Sequence, residues 1–357
     1  MNAKRRFVLT LAVALICQTA GAIRYVDQRN DSGSEDGLSW STAFRTIQPA
    51  LDVASNDGGG DVWWAAGTYD ETRQYEYFGT ERGSLFIPAN VRVYGGFSGT
   101  EVEFDSRNPD GFVTLIDGSQ SLAGSAAVTV VIMSDGTTLD GFTITARGTQ
   151  LDNPYTAGGV LAPDVNVTVA NCIFEGLEAA SGAAGELRGE LGGEGIEIVG
   201  CTFRQNAGGS VLSVGRSVTI SSCEFFDNSG TAITAGGGPI RVVDTIFARN
   251  VAPSGGAIRF NSATIHVENC VFAENSASEA EGGAISLANP RAGKSASIVN
   301  CSFYQNTAAT NGGAIFAAGQ FGEGEFTTQV AIQNCTFSGN VAGESGGAIY
   351  FDTVQSD

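Results

Sequence analysis

The sequence predicts an all-β fold, a single-stranded right-handed parallel β-helix (solenoid) with an N-terminal capping α-helix. Three observations support this fold: a repeated Cys-x-Phe-x-x-Asn motif, apolar alternation before each copy, and a turn-forming residue between the two. The motif phenylalanines fall at positions 174, 203, 225, 247, 272, 303 and 337, with gaps of 29, 22, 22, 25, 31 and 34 residues. Repeats of this length are typical of solenoids.

Side-chain parity defines the strands of each repeat. The residues three and five positions before each cysteine position are Val, Ile or Ala, whereas the residue between them varies, as in Val218-Thr219-Ile220. This alternation predicts a half-buried strand. Cys and Phe lie an odd number of residues further on, so the chain must bend for both sets to face one interior. The residue before the cysteine position favours such a bend in every copy: Asn171, Gly200, Ser222, Asp244, Asn269, Asn300 and Asn334. A third strand follows the Gly-Gly pairs, and coils should stack about 4.8 Å apart.

The last four copies join Phe-x-x-Asn to Gly-Gly-Ala-Ile, as in Phe303 and Asn306 followed by 312–315. This pairing resembles the repeat of the chlamydial polymorphic outer membrane proteins, within the pectin-lyase-like β-helix superfamily. The resemblance covers about the last third of the chain. It implies a secreted or surface-displayed passenger, often adhesive, and it implies no catalytic residue.

The N-terminus has the features of an export signal. Residues 1–22 combine Lys4-Arg5-Arg6, an apolar run from Phe7 to Ile16, and Ala20-Gly21-Ala22 as a cleavage site. The apolar run is too short to span a bilayer, so we predict no transmembrane segment in this chain. The predicted location is extracellular or at the cell surface (outer membrane).

The predicted mature chain is strongly acidic. Removal of 1–22 leaves 16 basic against 38 acidic residues, and Lys294 is the remaining lysine. This balance argues against nucleic acid and anionic lipid as partners. A solubilising surface explains it, and it is also compatible with a saline habitat or with calcium binding.

The predicted domain organisation is an N-terminal cap over 23–70 and a solenoid over 71–357. The apolar spacing of Phe44, Ile47, Leu51 and Ala54 predicts a helix over about 42–55 with its N-cap at Ser41-Thr42, which would cover the open end. Coils from 85 to 160 are irregular, regular repeats begin at about 165, and the Gly- and Ala-rich 179–193 is predicted as a loop leaving the solenoid. The chain stops within a predicted strand, so we expect a longer, truncated protein.

Six cysteines of the predicted mature chain occupy one repeat position, and Thr245 interrupts their column. Thr245 divides the cysteine column into two groups of three, so disulfides between adjacent coils would leave one thiol unpaired in each group. The Cβ atoms of adjacent coils are also expected to lie about 4.8 Å apart, beyond the usual ~3.5–4.5 Å between the Cβ atoms of a disulfide. We therefore predict buried free thiols and no metal site, since nothing nearby completes a tetrahedral set.

The Phe column should stack in the core, and the Asn after it should hydrogen-bond the turns from coil to coil.

Candidate functional residues come from the outward positions of the third strand. Their column is predicted as Leu212, Thr234, Arg259, Ser286, Phe316 and Tyr350. It holds no carboxylate pair of the kind that glycosidases need, so no catalytic residue and no cofactor are predicted. Arg259, Phe316 and Tyr350 are predicted to form an exposed ligand-binding strip. His266, near Glu268 and Arg241, is interpreted as part of a surface polar cluster.

Two functions remain open from the sequence. The first is a non-catalytic surface or secreted β-helix for adhesion or glycan binding, with a polysaccharide or a host or neighbouring cell surface as its partner. The alternative is a polysaccharide lyase or glycoside hydrolase with its site in the coils between 85 and 165, because this scaffold hosts both classes.

Overall fold

The structure, a computed structural model, describes residues 21–77, 79–146, 158–189, 195–260, 264–287, 295–320 and 329–354. Residues 1–20 of the predicted signal segment lie outside this range. Three sheets run along the molecule, and each coil contributes to all three, so the predicted parallel β-helix is confirmed. No described helix is both long and apolar enough to cross a membrane.

The first sheet is parallel throughout and carries the Val-x-Ile segments. Its strands, in spatial order, are Arg24–Val26, Gly60–Ala65, Val91–Phe97, Thr137–Asp140, Val167–Ala170, Ile196–Val199, Val218–Ser221, Pro239–Val243, Thr264–Glu268, Ser295–Val299 and Gln329–Gln333. The second sheet carries the Cys-x-Phe segments. Its strands are Gly67–Tyr69, Thr114–Asp117, Thr143–Thr145, Ile173–Glu175, Thr202–Arg204, Glu224–Phe226, Ile246–Ala248, Val271–Ala273, Ser302–Tyr304 and Thr336–Ser338.

The third sheet contains the strands that follow the Gly-Gly pairs. Its longer strands are Thr80–Ile87, Val131–Met133, Val160–Ala162, Gly185–Arg188, Ala207–Gly215, Ser229–Gly236, Ile258–Phe260, Ile285–Leu287, Ile315–Gln320 and Ile349–Val354. Short strands at its margin are Glu178–Ala179, Val251–Ala252, Ser276–Ala277, Thr307–Ala308 and Val341–Ala342. Tyr75–Tyr77 pairs antiparallel with Thr80–Ile87 and so forms a hairpin on the outside of the first coils.

The predicted bend between the first two sheets is present in every copy. All seven bend residues have φ between 50° and 63°, in the left-handed region that Asn, Asp and Gly tolerate best. A second left-handed position lies just before the motif Asn, and it holds Gln205, Arg249, Glu274 and Gln305 among others, with φ of 50–55°. Turn formers occupy this position in three copies, as Gly176, Asp227 and Gly339, but Gln, Arg and Glu occupy it in the other four, so the repeat does not mark a second bend consistently.

Ser222 offers a test of the first bend, since its φ is 53° and the equivalent residue of the preceding coil is Gly200. Ser222→Gly is expected to raise the free energy of unfolding by a few tenths of a kcal/mol up to about 1, whereas Ser222→Val should lower it by about 1–3 kcal/mol, because a β-branched residue is strained there. Urea unfolding of the two variants measures this. Equal effects of Gly and Val would contradict a strained bend at this position.

The core is built from columns of identical residues. Phe174, Phe203, Phe225, Phe247, Phe272, Phe303 and Phe337 stack with ring centroids 4.4–5.0 Å apart and planes within 12°. The six described cysteines are free, as predicted. The Cys223 thiol donates to the Ser221 carbonyl at 3.2 Å, and the Thr245 hydroxyl donates to Val243 at 2.8 Å. Thr245 therefore replaces the thiol without losing the hydrogen bond that it makes.

The motif asparagines form the predicted ladder. The side-chain nitrogen of Asn250 donates to the Phe225 carbonyl at 2.9 Å and to the Asn275 side-chain oxygen at 2.9 Å. The same pair of bonds recurs at Asn206, Asn228, Asn275 and Asn306. Each Asn thus links its own turn to the coils on both sides, and it does so in a buried position.

The N-terminal helix spans Ile47–Asn56, so the predicted start at about 42 is wrong. Trp40–Thr42 forms one 3-10 turn, after which Phe44 is extended. Its N–H donates to Tyr25 and its carbonyl accepts from Asp27, both at 2.9 Å. This pairing with the first strand delays the helix. The buried helix residues Ile47, Ala50, Leu51 and Ala54 face the first coils.

The predicted loop over 179–193 is also wrong for its described part. Gly185–Arg188 pairs in parallel register with Val160–Ala162 on one side and Leu212–Gly215 on the other. Its small residues fit a close approach: a Cβ at Gly185 would lie 3.2 Å from the Leu212 side chain. The segment is a coil strand rather than an excursion, and 190–194 lie outside the described residues.

Candidate functional site

The predicted strip lies in one outward column of the third sheet, but it is not continuously exposed. Arg259 pairs with Ser286, which pairs with Phe316, which pairs with Tyr350. Arg259 is exposed and Tyr350 half-buried, whereas Phe316 is 7% and Ser286 0% exposed. The loop before the strand covers Phe316, and the first glycine of the Gly-Gly pair permits its close approach. Gly312, at φ 67°, turns the preceding loop so closely onto the sheet that a Cβ there would lie 3.0 Å from the Phe316 Cα.

The predicted outward column of the third sheet is wrong at one residue, Leu212. Leu212 pairs with Ile233 and is buried in the core, and Ser213 takes the outward place beside Thr234. An irregularity in the pairing between Ala207 and Ser210 changes the side-chain parity of this strand. This copy has Gly208-Gly209 followed by Ser-Val instead of Ala-Ile, and the irregularity includes this pair, so counting from it as in the later copies gives the wrong parity.

The His266 cluster lies on the first sheet as a surface ion cluster. The Glu268 carboxylate accepts from the Arg241 guanidinium at 2.9 Å, and His266 Nε2 lies 3.1 Å from the same oxygen. The hydrogen bond with His266, followed by the contacts with Arg241, holds the pKa of Glu268 below its usual value. All three side chains are 30–50% exposed. The contacts join His266 and Arg241 through one oxygen of Glu268, which agrees with the interpretation as a surface polar cluster.

The irregular coils carry a groove of about 560 Å³ beside Arg107. The Arg107 guanidinium donates to Asp140 at 2.7 Å and stacks 4.6 Å from the Phe104 ring centroid. Asn171 donates to the second Asp140 oxygen at 2.9 Å. Asp140 is therefore committed to holding an outer loop onto the bend, although Asp105 and Asp110 also border the groove.

Metal binding has no cluster to support it in the part of the chain that the structure describes, where no three His, Cys, Asp or Glu side chains are grouped to hold an ion. Calcium binding, suggested by composition alone, stays a prediction.

The second sheet presents an apolar outer surface, which we call the aromatic shelf: Phe226, Ala248, Ala273, Tyr304, Ile246 and Val271. The first four share one outward column in consecutive coils, and Ile246 and Val271 are neighbours in the adjacent column. Tyr304, Ile246 and Val271 are 46%, 44% and 40% exposed. This contiguous apolar surface makes the shelf a candidate interaction site.

Polar groups border the shelf at the second bend. The Arg249 guanidinium donates to both Asp227 oxygens, at 2.7 and 3.0 Å, which lowers the pKa of Asp227 and raises that of Arg249. Glu224 lies at the shelf end nearest Phe226. The sequence contains a signal for this surface. Ile246 and Val271 each directly precede a motif phenylalanine, and Phe226 directly follows one. The repeat itself does not fix those positions.

Comparison with solved structures finds distant likenesses. A surface adhesin of Streptococcus pneumoniae is 14% identical over 85% of this chain and 88% of its own, with a TM-score of 0.45. A tailspike protein from an Acinetobacter baumannii bacteriophage, a capsular polysaccharide depolymerase, is 12% identical over 90% of this chain and 62% of its own, with a TM-score of 0.32. The A-module of a mannuronan C-5 epimerase from Azotobacter vinelandii is 15% identical over 92% and 95%, with a TM-score of 0.28.

No curated protein sequence matches the chain. The model of the right-handed β-helix region matches residues 128–303 and 190–355, which together span the coils from the irregular region to the last described strand. With three parallel sheets, in-register core columns and this match, the chain belongs to the right-handed β-helix family.

Proposed function

We propose that the protein is a non-catalytic β-helix of the cell exterior that binds a polysaccharide through the aromatic shelf. One observation carries the proposal: Phe226 and Tyr304 stand at the two ends of one outward column with Ala248 and Ala273 between them. Three coil steps of about 4.8 Å place the aromatic residues roughly 14 Å apart. The alanines leave a flat floor on which a glycan can lie, and the aromatic rings offer faces for the C–H surfaces of sugar rings.

Charge favours a neutral glycan at this shelf. The predicted mature chain carries 38 acidic against 16 basic residues, and Glu224 and Asp227 lie at the shelf margin. An acidic polysaccharide would be repelled by this field. The Asp227–Arg249 pair instead offers hydrogen-bond donors and acceptors to sugar hydroxyls.

Placement outside the cell rests on two sequence features. The export signal of 1–22 directs the chain out of the cytoplasm, and the Gly-Gly-Ala-Ile repeats resemble those of surface-displayed passengers. Adhesion to a neighbouring or host cell is the natural use of an exposed glycan-binding shelf.

Phe226→Ala and Tyr304→Ala are each expected to weaken binding of the preferred neutral glycan at least tenfold, because each removes one of the two stacking rings. A glycan array identifies the ligand, and calorimetry compares the variants. Phe112→Ala is the control, since Phe112 is 37% exposed and lies outside the shelf. Arg259→Ala tests the third-sheet strip in the same assay. Binding that is lost with Arg259 and unaffected by the shelf variants would contradict the proposal.

Cleavage of the bound polysaccharide is the alternative function. Release of unsaturated or reducing ends in the binding assay would favour it and would direct attention to the groove beside Arg107, where Asp105 and Asp110 lie.

A further inference from the structure

The cysteine column holds reactive groups that the proposed function does not use. Its six members stand at one repeat position, and the five from Cys172 to Cys301 are at most 1% exposed, whereas Cys335 is half-buried. Four of the thiols donate at 3.2 Å to the carbonyl two residues earlier in their own coil: Cys223, Cys270, Cys301 and Cys335. The folded chain thus holds these thiols against their own backbone.

Backbone hydrogen bonds fix the distance between neighbouring members of the column. The carbonyl of Cys172 accepts at 2.8 Å from the N–H of Thr202, which directly follows Cys201. The same bond to the next coil recurs at 2.9–3.0 Å from the carbonyls of Cys201, Cys223, Cys270 and Cys301. Neighbouring Cβ atoms therefore stand about 4.8 Å apart on parallel strands, whereas a disulfide needs ~3.5–4.5 Å. A disulfide within the column would require the coils to move against these bonds.

The unfolded chain has no such restriction. Consecutive cysteines of the column are 29, 22, 47, 31 and 34 residues apart, and loops of these lengths close at similar entropic cost. Six accessible thiols can pair in many ways. A disulfide between adjacent coils conflicts with their spacing, and one between more distant coils conflicts with it further. An oxidised chain therefore cannot rebuild the stacked column until the bond is reduced.

A small disulfide such as glutathione disulfide is a sufficient oxidant. A thiolate of the unfolded chain attacks its S–S bond, which forms a mixed disulfide and releases one glutathione thiolate. A second thiolate of the chain attacks the mixed disulfide and releases the other glutathione. Two protein thiols are thereby oxidised to one disulfide, the glutathione disulfide is reduced, and the two thiol protons pass to the released glutathione thiolates.

From these contacts we infer that the cysteine column is a redox trap for the unfolded chain: a disulfide oxidant leaves the folded solenoid intact and makes its unfolding irreversible. Buried structural thiols are inert toward exchange. Burial also raises the pKa of the Cys201 and Cys335 thiols, which lowers their thiolate fraction. An oxidant can reach the half-buried Cys335, but one thiol cannot close a disulfide within its chain. In an oxidising compartment the chain therefore has to complete its coils before its thiols are oxidised.

Thr245 indicates which variant removes the trap and keeps the fold. Its hydroxyl takes the place of a thiol in the column and donates to the Val243 carbonyl at 2.8 Å. Its own carbonyl accepts from the Val271 N–H at 3.0 Å, as the cysteine carbonyls accept from the coil after them. Threonine at all six cysteine positions of the column should therefore preserve the contacts between coils and abolish disulfide formation within the column.

The first test compares refolding with and without an oxidant. The full chain is unfolded in urea with dithiothreitol or with glutathione disulfide and then diluted, and circular dichroism measures the recovered β-structure. Recovery from glutathione disulfide is expected to be at least fivefold lower than from dithiothreitol, and dithiothreitol added afterwards should restore it. Equal recovery in the two conditions would overturn the inference, and so would a loss that dithiothreitol does not reverse.

The six-threonine variant is the control in the same experiment. It should recover equally in both conditions, because Cys17 of the predicted signal segment alone cannot close a disulfide within the chain. A loss of recovery in glutathione disulfide as large as that of the parent would show that the column is not the cause. If the variant does not fold, the reversal by dithiothreitol in the parent decides the test.

The second test exposes the folded parent to glutathione disulfide without urea. Alkylation followed by peptide mapping identifies each oxidised cysteine, so Cys17 is counted apart from the column. The circular dichroism spectrum should be unchanged, the five buried thiols should stay reduced, and Cys335 should form at most a mixed disulfide. Disulfides between members of the column in the folded chain would overturn the inference. Neither test depends on glycan binding at the shelf.

Discussion

Phe225→Ala is expected to lower the free energy of unfolding by about 3–5 kcal/mol, the usual cost of truncating a buried Phe. Phe225 is 0% exposed, and its ring centroid lies 4.4 Å from that of Phe203 and 5.0 Å from that of Phe247. Removing the ring breaks the column on both sides and leaves a cavity that the stacked coils cannot close, because their spacing is fixed by backbone hydrogen bonds. Urea unfolding followed by circular dichroism measures the loss.

The adjacent residue provides the control. Phe226 has the same side chain one position along the same strand, but it points outward and is half-buried. Phe226→Ala should cost less than about 1 kcal/mol, as is usual for surface substitutions. Under the proposed function it also weakens glycan binding at the shelf at least tenfold. Similar costs for the two variants would mean that the column does not dominate the stability of these coils.

Spectroscopy can also locate the coils that Phe225→Ala destabilises. A solenoid is stabilised by nearest-neighbour contacts, so a break in the middle uncouples its two ends. The three tryptophans, Trp40, Trp63 and Trp64, all lie in the first coils. In Phe225→Ala, tryptophan fluorescence should report unfolding at a higher urea concentration than circular dichroism does, whereas the two probes should coincide more closely in the parent.

The sequence predicted well wherever a residue is repeated for a structural reason. The Phe, Cys and Asn columns, and the bend before the cysteine position, face closely similar surroundings in each coil. The same physical demand therefore selects the same residue, or one that meets the same demand, such as Thr245, in nearly every copy. The second bend was missed because residues such as Arg249 and Glu274 occupy it in four of the seven copies, and neither favours a left-handed backbone on its own. There the stacked coils impose the conformation.

Functional residues are harder to predict for the same reason. The proposed aromatic shelf lies at positions that the repeat leaves free, so no periodicity marks it. Phe316 is the opposite case, because it was predicted to be an exposed binding residue and is buried. Strand parity correctly placed it outward, but its burial depends on the loop that Gly312 turns back over the sheet, and such tertiary cover is invisible in strand alternation.

Asn250→Ala is expected to be the most damaging polar substitution, with a loss of about 2–4 kcal/mol, since each buried group left unpaired costs about 1–3 kcal/mol. Asn250 is 0% exposed. Its side chain donates to the Phe225 carbonyl and to Asn275, and it accepts from Asn228 at 2.8 Å. Alanine leaves the Phe225 carbonyl and one Asn228 N–H without their partner in a site that water cannot reach.

Two further variants separate hydrogen bonding from packing. Asn250→Leu keeps most of the side-chain volume and mimics Leu177, the residue at this position in the first copy. Leu177 lies at the end of the ladder, where its N–H donates to Asn206 at 3.0 Å and no earlier Asn needs an acceptor. In the middle of the ladder the same residue should be as destabilising as alanine, and recovery of stability by leucine would show that the Asn column acts by filling space.

Asn340→Ala should cost clearly less than Asn250→Ala, because Asn340 is half-buried in the last described coil and water can replace its bond to the Phe303 carbonyl. A ladder of identical bonds is therefore expected to have unequal energies, set by how far each rung lies from solvent.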